Sequence, residues 1–191
     1  MFLTPPIPYH LRPMQLQDVE QIMPIERRAF PTPWPSAGYR HELTHNDNAH
    51  YIVLSRRNEG EKEQIVGYGG FWLVADECHI STIAVDIPYR GHGLGSLLLL
   101  QMIFHCIDLR ATVIRLEVRQ SNRAARQLYA QYDFVTVGRR PGYYRDRRED
   151  AILMDLNIAG EDVRLQFEER RAQLWPRLAE LDDPGGDISQ P

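Results

Sequence analysis

Apolar positions along this chain follow two different periods, and the switches between them mark its elements. From Thr112 to Arg119 they alternate strictly, with Ile114, Leu116 and Val118 on one side and Arg115, Glu117 and Arg119 on the other. That period of two predicts a strand with one buried face. Tyr9–Met14, Tyr51–Arg56, Ile65–Val74 and Ile80–Val85 read as further strands, the second and third joined by the charged turn Asn58-Glu59-Gly60-Glu61. Phe134–Val137 and Ala151–Leu156 predict a closing hairpin that turns around Pro141-Gly142-Tyr143-Tyr144. Helical spacing appears after Asp18, a candidate cap, where Val19, Ile22, Met23 and Ile25 form a stripe that Pro24 should kink or open. A short polar helix starts at Ser36. A longer one starts near Gly93, and Leu97–Leu100, Met102, Ile103, Phe104 and Cys106 leave it almost no polar face, which predicts burial against a sheet. Asn122–Tyr132 is a third full helix, and Glu161–Leu181 an amphipathic fourth that Pro176 could break. Interleaved strands and helices predict a mixed α+β domain over residues 1–158, with residues 159–191 as an added acidic helix and a disordered tail, Asp182–Pro191.

Composition narrows the classes. The 191 residues suffice for one well-filled domain, and 43% hydrophobic with 25% charged residues is ordinary for a globular chain. No apolar run approaches the ~20 residues that span a bilayer, and the N-terminus lacks a basic segment followed by an apolar core. The two cysteines, Cys78 and Cys106, show no CxxC spacing and read as small core residues in a reducing, cytoplasmic setting. Of 22 basic residues only Lys62 is a lysine, and no basic stripe with interleaved aromatics indicates direct nucleic-acid binding. The net charge of −4 lies wholly in residues 159–191, which carry eight acids against four arginines.

Candidate chemistry centres on the stretch between the two cysteines. After the strand Ile80–Val85, Pro88 stops ladder pairing, and Arg90-Gly91-His92-Gly93-Leu94-Gly95 leads into the apolar helix. Unpaired amides and the dipole at that helix start suit a phosphate or pyrophosphate. The spacing G-x-G-x-G fits neither the dinucleotide fingerprint nor the P-loop. By itself the run also reads as a plain glycine turn between a strand and a core helix. His41-Glu42-Leu43-Thr44-His45 is a literal H-E-x-x-H, which in a zinc protease would place two ligands and a general base on one helix face. Here the segment is short and polar, ends in Asn46-Asp47-Asn48 and lacks the H-x-x-G-x-x-H continuation, so no metal is expected. The stiff aromatic loop Phe30-Pro31-Thr32-Pro33-Trp34-Pro35 reads equally as a lid on the core or as a wall of a groove.

Arg90, Gly93 and Gly95, placed after the strand that ends in Ala84-Val85-Asp86, resemble the [RQ]-x-x-G-x-[GA] coenzyme loop of the GNAT acyltransferases. The run LEVRQSNRAARQLYAQYDF one strand later is similar to that family's E-V-R-x-x-N-x-x-A-x-x-L-Y-x-x-x-G-F, with Asp133 standing where the pattern has glycine. With Arg-Ala-Phe-Pro upstream and Arg-Glu-Asp-Ala-Ile-Leu-Met downstream, the resemblance covers roughly residues 9–157. It is greatest to the ribosomal-protein-alanine N-acetyltransferase group. It implies a mostly antiparallel sheet of about seven strands, splayed at its middle, with helices on both faces. It also implies acetyl-coenzyme A as co-substrate and the N-terminus of a peptide or protein as acceptor, in a monomer or weak dimer without metal.

The same resemblance assigns roles. The pantetheine arm would pair with backbone at Ile83, Ala84 and Val85. The pyrophosphate would meet amides of Arg90, Gly91, His92, Gly93, Leu94 and Gly95, with Ser96 just inside the helix. Asn122 would hydrogen-bond the arm, Tyr129 would stand by the sulfur as general acid, and Glu117 would be the general base. Phe30, Trp34, Tyr143 and Tyr144 would hold the acceptor. Read without the family, Glu117 between two arginines is an exposed ion-paired face, Tyr129 a core aromatic, and Arg90 a side chain lying along the surface. Two alternatives remain at this stage: a small-molecule amine as acceptor, and a silent acyl-coenzyme A module whose acidic C-terminal helix docks a partner.

Overall fold

The computed structural model describes residues 2–57, 60 and 62–181. Most of the expected turn at Asn58–Glu61, and the tail Asp182–Pro191, lie outside the described residues. Seven strands, β1 (Tyr9–Pro13), β2 (Ala49–Arg56), β3 (Gln64–Val74), β4 (Glu77–Val85), β5 (Val113–Arg119), β6 (Val135–Tyr144) and β7 (Glu149–Asn157), form one sheet in the order β1-β2-β3-β4-β5-β7-β6. Every neighbouring pair is antiparallel except β4 and β5, which run parallel through the helix between them. Among the described residues five α-helices complete the fold: α1 (Val19–Ala29), α2 (Ser36–His45), α3 (Leu94–Asp108), α4 (Arg123–Gln131) and α5 (Val163–Ala179).

Both faces of the sheet are covered, which is why β2 and β3 read as nearly unbroken apolar runs. In β2 alternate residues go to opposite faces, Ile52 and Leu54 towards α3, Tyr51 and Val53 towards α1 and α2. In β3 the register shifts opposite Leu54–Ser55 and leaves Val66 extra, so Val66 packs with α3 while Ile65 and Tyr68 both pack with α1 and α2. Helix α3 explains its own sequence. Leu97, Leu98, Leu99, Leu100, Met102 and Ile103 are all fully buried, because the sheet takes one side of the helix and α5 the other. The α5 contribution is Phe167, Leu174 and Leu178, all buried in the same cluster. The helix runs on to Ala179 through Pro176, so the expected break there does not occur.

Two local expectations are corrected. Asp18 does not cap α1 with its side chain; its carboxylate accepts from the Gln15 N–H at 2.7 Å and from the Arg12 guanidinium at 2.6 Å. The β6–β7 hairpin does not turn at Pro141–Tyr144. Those residues belong to β6, and the turn is Arg145–Arg148. The reason is a bulge. Arg140 pairs with Ala151 and Tyr144 with Glu149, so Pro141–Tyr143 stand opposite Asp150, whose Oδ1 accepts the Gly142 N–H at 2.7 Å.

A second bulge sits in β4. Gly70 pairs with Thr82 and Phe71 with Ile80, leaving Ser81 extra. A Cβ on Gly70 would lie 2.3 Å from the ring of buried Tyr51. Gly70→Ala should therefore destabilise the protein by about 1–3 kcal/mol, read as a lower urea midpoint; an unchanged midpoint would show that the Tyr51 ring yields freely.

Candidate active site

Beyond its bulge β4 parts from β5. Their parallel pairing covers only Glu77–Ile80 against Val113–Leu116, so Ser81–Val85 and Glu117–Arg119 have no ladder between them. A cleft of ≈ 780 Å³ opens there, lined among others by Thr82, Ile83, Glu117, Asn122, Tyr129 and Tyr144. The Oγ1 of Thr82 is buried and, among the described residues, has no hydrogen-bond partner. Ala84 and Val85 are buried behind Ile83. At the far end of β4, Arg90 donates from Nε to the Val85 carbonyl at 2.8 Å, so its side chain straps the loop back onto the strand.

The loop then reaches α3 at Gly93, whose φ of 79° is a left-handed conformation open to glycine and strained for other residues. Gly93 brings no capping side chain, and the first amides of α3 are left for another acceptor. Nδ1 of His92 beside them is buried and unpartnered among the described residues. Ser96, in the first turn, is in hydrogen-bond contact with Tyr132. Bare amides, an orphaned ring nitrogen and a parted strand edge together fit a pyrophosphate with an extended amide-bearing arm.

The cleft and its edge also gather ionisable groups from three strands, β4, β5 and β6, and from helix α4. Glu117 is bound at both oxygens, Oε2 2.6 Å from Nε2 of His79 and Oε1 accepting from Arg140 at 3.0 Å. The hydrogen bond to His79, helped by the charge of Arg140, holds its carboxyl below the usual range against the opposing effect of burial. Tyr129 is buried against Phe134, and burial first, then neighbouring Tyr144, pushes its hydroxyl well above the ordinary tyrosine range. Tyr144 is pushed up to about 12, mainly by burial; its hydroxyl donates to the Glu117 carbonyl at 3.4 Å and its ring lies under Arg119 at 4.0 Å. Tyr143 crosses Tyr144 edge-on at 5.1 Å and is 46% exposed, at the cleft mouth. Asn122 caps α4, its Oδ1 accepting the Ala125 N–H at 3.1 Å, which leaves the amide NH₂ for a ligand.

Opposite them stands the loop after α1. Phe30 and Thr32 line the cleft, while Trp34 lines an adjoining cavity of ≈ 300 Å³ with Tyr51, Trp72 and Thr82. Buried Glu26 fixes this loop, accepting the Trp34 N–H at 2.7 Å, the Tyr39 hydroxyl at 3.0 Å and the Tyr68 hydroxyl. The H-E-x-x-H residues lie elsewhere. The His41 and His45 rings stack at 5.0 Å, and Glu42 accepts from Nε1 of Trp72 at 2.6 Å and from the Asn46 amide at 2.9 Å, tying α2 to β3. Among the described residues no group of three His, Cys, Asp or Glu is placed to hold a metal ion. Cys78 and Cys106 are buried and free.

Sequence reading missed His79 and Arg140 as the partners of Glu117 and Glu26 as the anchor of the aromatic loop. His79 becomes legible only once β4 and β5 are known to run in parallel register.

The acetyltransferase (GNAT) family model matches residues 19–134, more than half of the chain. The [ribosomal protein bS18]-alanine N-acetyltransferase of Haemophilus influenzae is 36% identical over 140 residues, covering 72% of this chain and 90% of the relative. The N-alpha-acetyltransferase RimI of Mycobacterium tuberculosis is 35% identical over 143 residues, covering 72% and 85%. Among solved structures, the ribosomal-protein-S18-alanine N-acetyltransferase from Escherichia coli superposes with a TM-score of 0.70 at 31% identity, over 81% of this chain and 97% of that one. Arabidopsis thaliana NAA60 in complex with acetyl-CoA gives a TM-score of 0.70 at 20% identity over 80% and 99%, a likeness of fold. The chain belongs to the GNAT family of acetyltransferases. It is an acyltransferase whose acetyl donor is acetyl-coenzyme A. No helix among the described residues is long and apolar enough to cross a membrane.

The depressed carboxyl of Glu117 makes a stability prediction. A carboxylate whose folded pKa lies below its unfolded value adds stability above that unfolded value, here about 4.5, and loses it as pH falls through the folded one. Glu117→Gln should cost about 1 kcal/mol at pH 7. In urea titrations the gap to wild type should close below the unfolded value; a gap constant down to pH 3 would contradict the ion-paired state.

Proposed function

We propose that this enzyme acetylates the N-terminal α-amine of a protein, with a ribosomal protein as the acceptor class. One observation carries the reading: Glu117, Tyr129 and the Tyr143–Tyr144 pair, from separate elements, all line the single cleft left where β4 and β5 part. The names of the relatives support the ribosomal acceptor, and an acceptor on the ribosome in turn supports a cytoplasmic setting.

Roles follow from what each group holds. The amides from Gly91 to Ser96 bind pyrophosphate, and Asn122 donates its free amide to the arm. The unladdered edge of β4 at Ile83–Val85 aligns that arm along the cleft, towards Glu117 and Tyr129. Phe30 and Thr32 on one side and Tyr143 and Tyr144 on the other grip the acceptor backbone. Acetyl-coenzyme A supplies an activated thioester, so no group of the protein need become acylated.

An α-ammonium of pKa ~8 is about one-tenth neutral at pH 7, so the base has a modest task. Glu117 accepts the proton through its cleft-facing carboxylate. His79, bonded to Oε2 and partly exposed, lies between that carboxylate and solvent. As the nitrogen bonds to the acetyl carbon and the C–S bond breaks, Tyr129 donates its proton to the departing sulfur. Burial raises the Tyr129 hydroxyl above the ordinary tyrosine range, so at neutral pH it is in donor form. Holding the two substrates in line supplies much of the remaining rate.

Acetyl-coenzyme A with a peptide that starts in alanine should release thiol, and the same peptide with its N-terminus blocked should not. Release driven by polyamines or antibiotics but not by free N-termini would replace the proposed acceptor. Tyr129→Phe should lower kcat at least about 100-fold while leaving the Kd for coenzyme A within about twofold; equal turnover would remove its acid role.

A further inference from the structure

Helix α5 lies outside the span matched by the family model and adds no strand to the sheet, yet it packs on α3 and hydrogen-bonds Asp133, just past α4. Its stripe Gln166, Arg170, Leu174 and Leu178 repeats every four residues, so these side chains lie on one face. One end of that face grips Asp133. Gln166 donates to its Oδ2 at 2.9 Å, and one guanidinium nitrogen of Arg170 bonds both oxygens at 3.1 and 2.9 Å. Asp133 is the position just past α4 where the family pattern has glycine, and it holds the left-handed conformation that glycine would supply, φ 65°. The departure from the pattern therefore keeps the backbone shape and adds a carboxylate that moors α5.

The other end of the face presses on the coenzyme loop. A Cβ on Gly93 would lie 3.1 Å from Leu174 Cδ1 and 3.5 Å from Leu178 Cδ2, so α5 forms the floor beneath that turn. Arg177 lies three residues after Leu174 and next to Leu178, on the same side and exposed. Its positive charge reaches Tyr132, whose hydroxyl contacts Ser96 in the first turn of α3. Arg170, by contrast, is already committed to Asp133.

We propose that α5 is a wall of the coenzyme site, moored by the Asp133–Arg170 pair and seated on Gly93, and that Arg177 binds a phosphate group of the coenzyme. This rests on the loop being the coenzyme's pyrophosphate site. Two phosphate sources present the same chemistry, the pyrophosphate and the 3′-phosphate of the ribose. Arg177 would meet the phosphate at the mouth of α3, on the side of Tyr132 and Ser96, and Arg170 acts as a positioning residue.

Titration calorimetry with coenzyme A on the full-length protein tests the assignment. Arg177→Gln should weaken binding roughly fivefold to twentyfold, and Arg177→Lys should recover most of the loss, with the urea midpoint of both variants unchanged. Steady-state assays should show a matching rise in KM for acetyl-coenzyme A, with kcat at saturating donor and KM for the peptide each within about twofold. Asp133→Asn, which keeps the left-handed backbone, should shift KM for the donor in the same direction by a smaller factor. Dephospho-coenzyme A tells the sources apart: a defect that persists places Arg177 on the pyrophosphate, and one that vanishes places it on the 3′-phosphate. Coenzyme binding by Arg177→Gln within twofold of wild type overturns the proposal and leaves the coenzyme site standing. Failure of the wild type itself to bind coenzyme A would overturn both.

Discussion

Strand β4 cannot satisfy two neighbours along its whole length, and the rest of the site depends on that failure. Its pairing with β3 absorbs one extra residue at Ser81, and from that point its other edge has no ladder with β5. A bulge raises the local twist and bends the strand, so the two parallel strands diverge instead of closing. Unpaired backbone inside a folded domain is costly unless something else satisfies it. The fold thus holds an edge in readiness for an extended, amide-bearing ligand. The loop that continues β4 ends in bare helix amides that suit the ligand's anionic end.

Holding such a gap open requires a stiff surround, and the core provides it. Helix α3 is buried on every side, with the sheet beneath it and α5 above, so its amino end cannot drift relative to β4. Across the cleft, one buried carboxylate, Glu26, ties α1, the aromatic loop and the tyrosines of α2 and β3 together. Lone buried carboxylates are expensive, and this one is offset by its three donors. The electrostatic work is divided the same way. Burial keeps Tyr129 protonated, while His79 and Arg140 keep Glu117 ionised. A proton donor and a proton acceptor are set apart by environment.

Much of this was legible in the residues. Alternation at Thr112–Arg119 placed Glu117 on the open face, and the glycine spacing after Val85 pointed to an anion at a helix start. The apolar run Leu97–Leu100 told of burial, although only the fold shows that α5 completes it. What escaped was non-local. Nothing in the sequence brings His79 to Glu117, because the parallel register decides it: His79 pairs with Arg115, and Glu117 follows two residues on. In the sequence Pro141–Gly142 reads as a turn, since proline and glycine serve both turns and bulges and only the pairing of Arg140 and Tyr144 with β7 separates them. Asp133 in the sequence is only a departure from the family's glycine; its carboxylate acquires a purpose when α5 folds alongside.

Amide resonances recorded with and without coenzyme A test the central claim most directly. Large shifts are expected for the backbone N–H groups of Gly93, Leu94, Gly95 and Ser96, with slowed hydrogen exchange along Ile83–Val85, as the ligand takes the places of a missing cap and a missing strand. Shifts confined to α2 around His41 and His45, with the mouth of α3 silent, would contradict it.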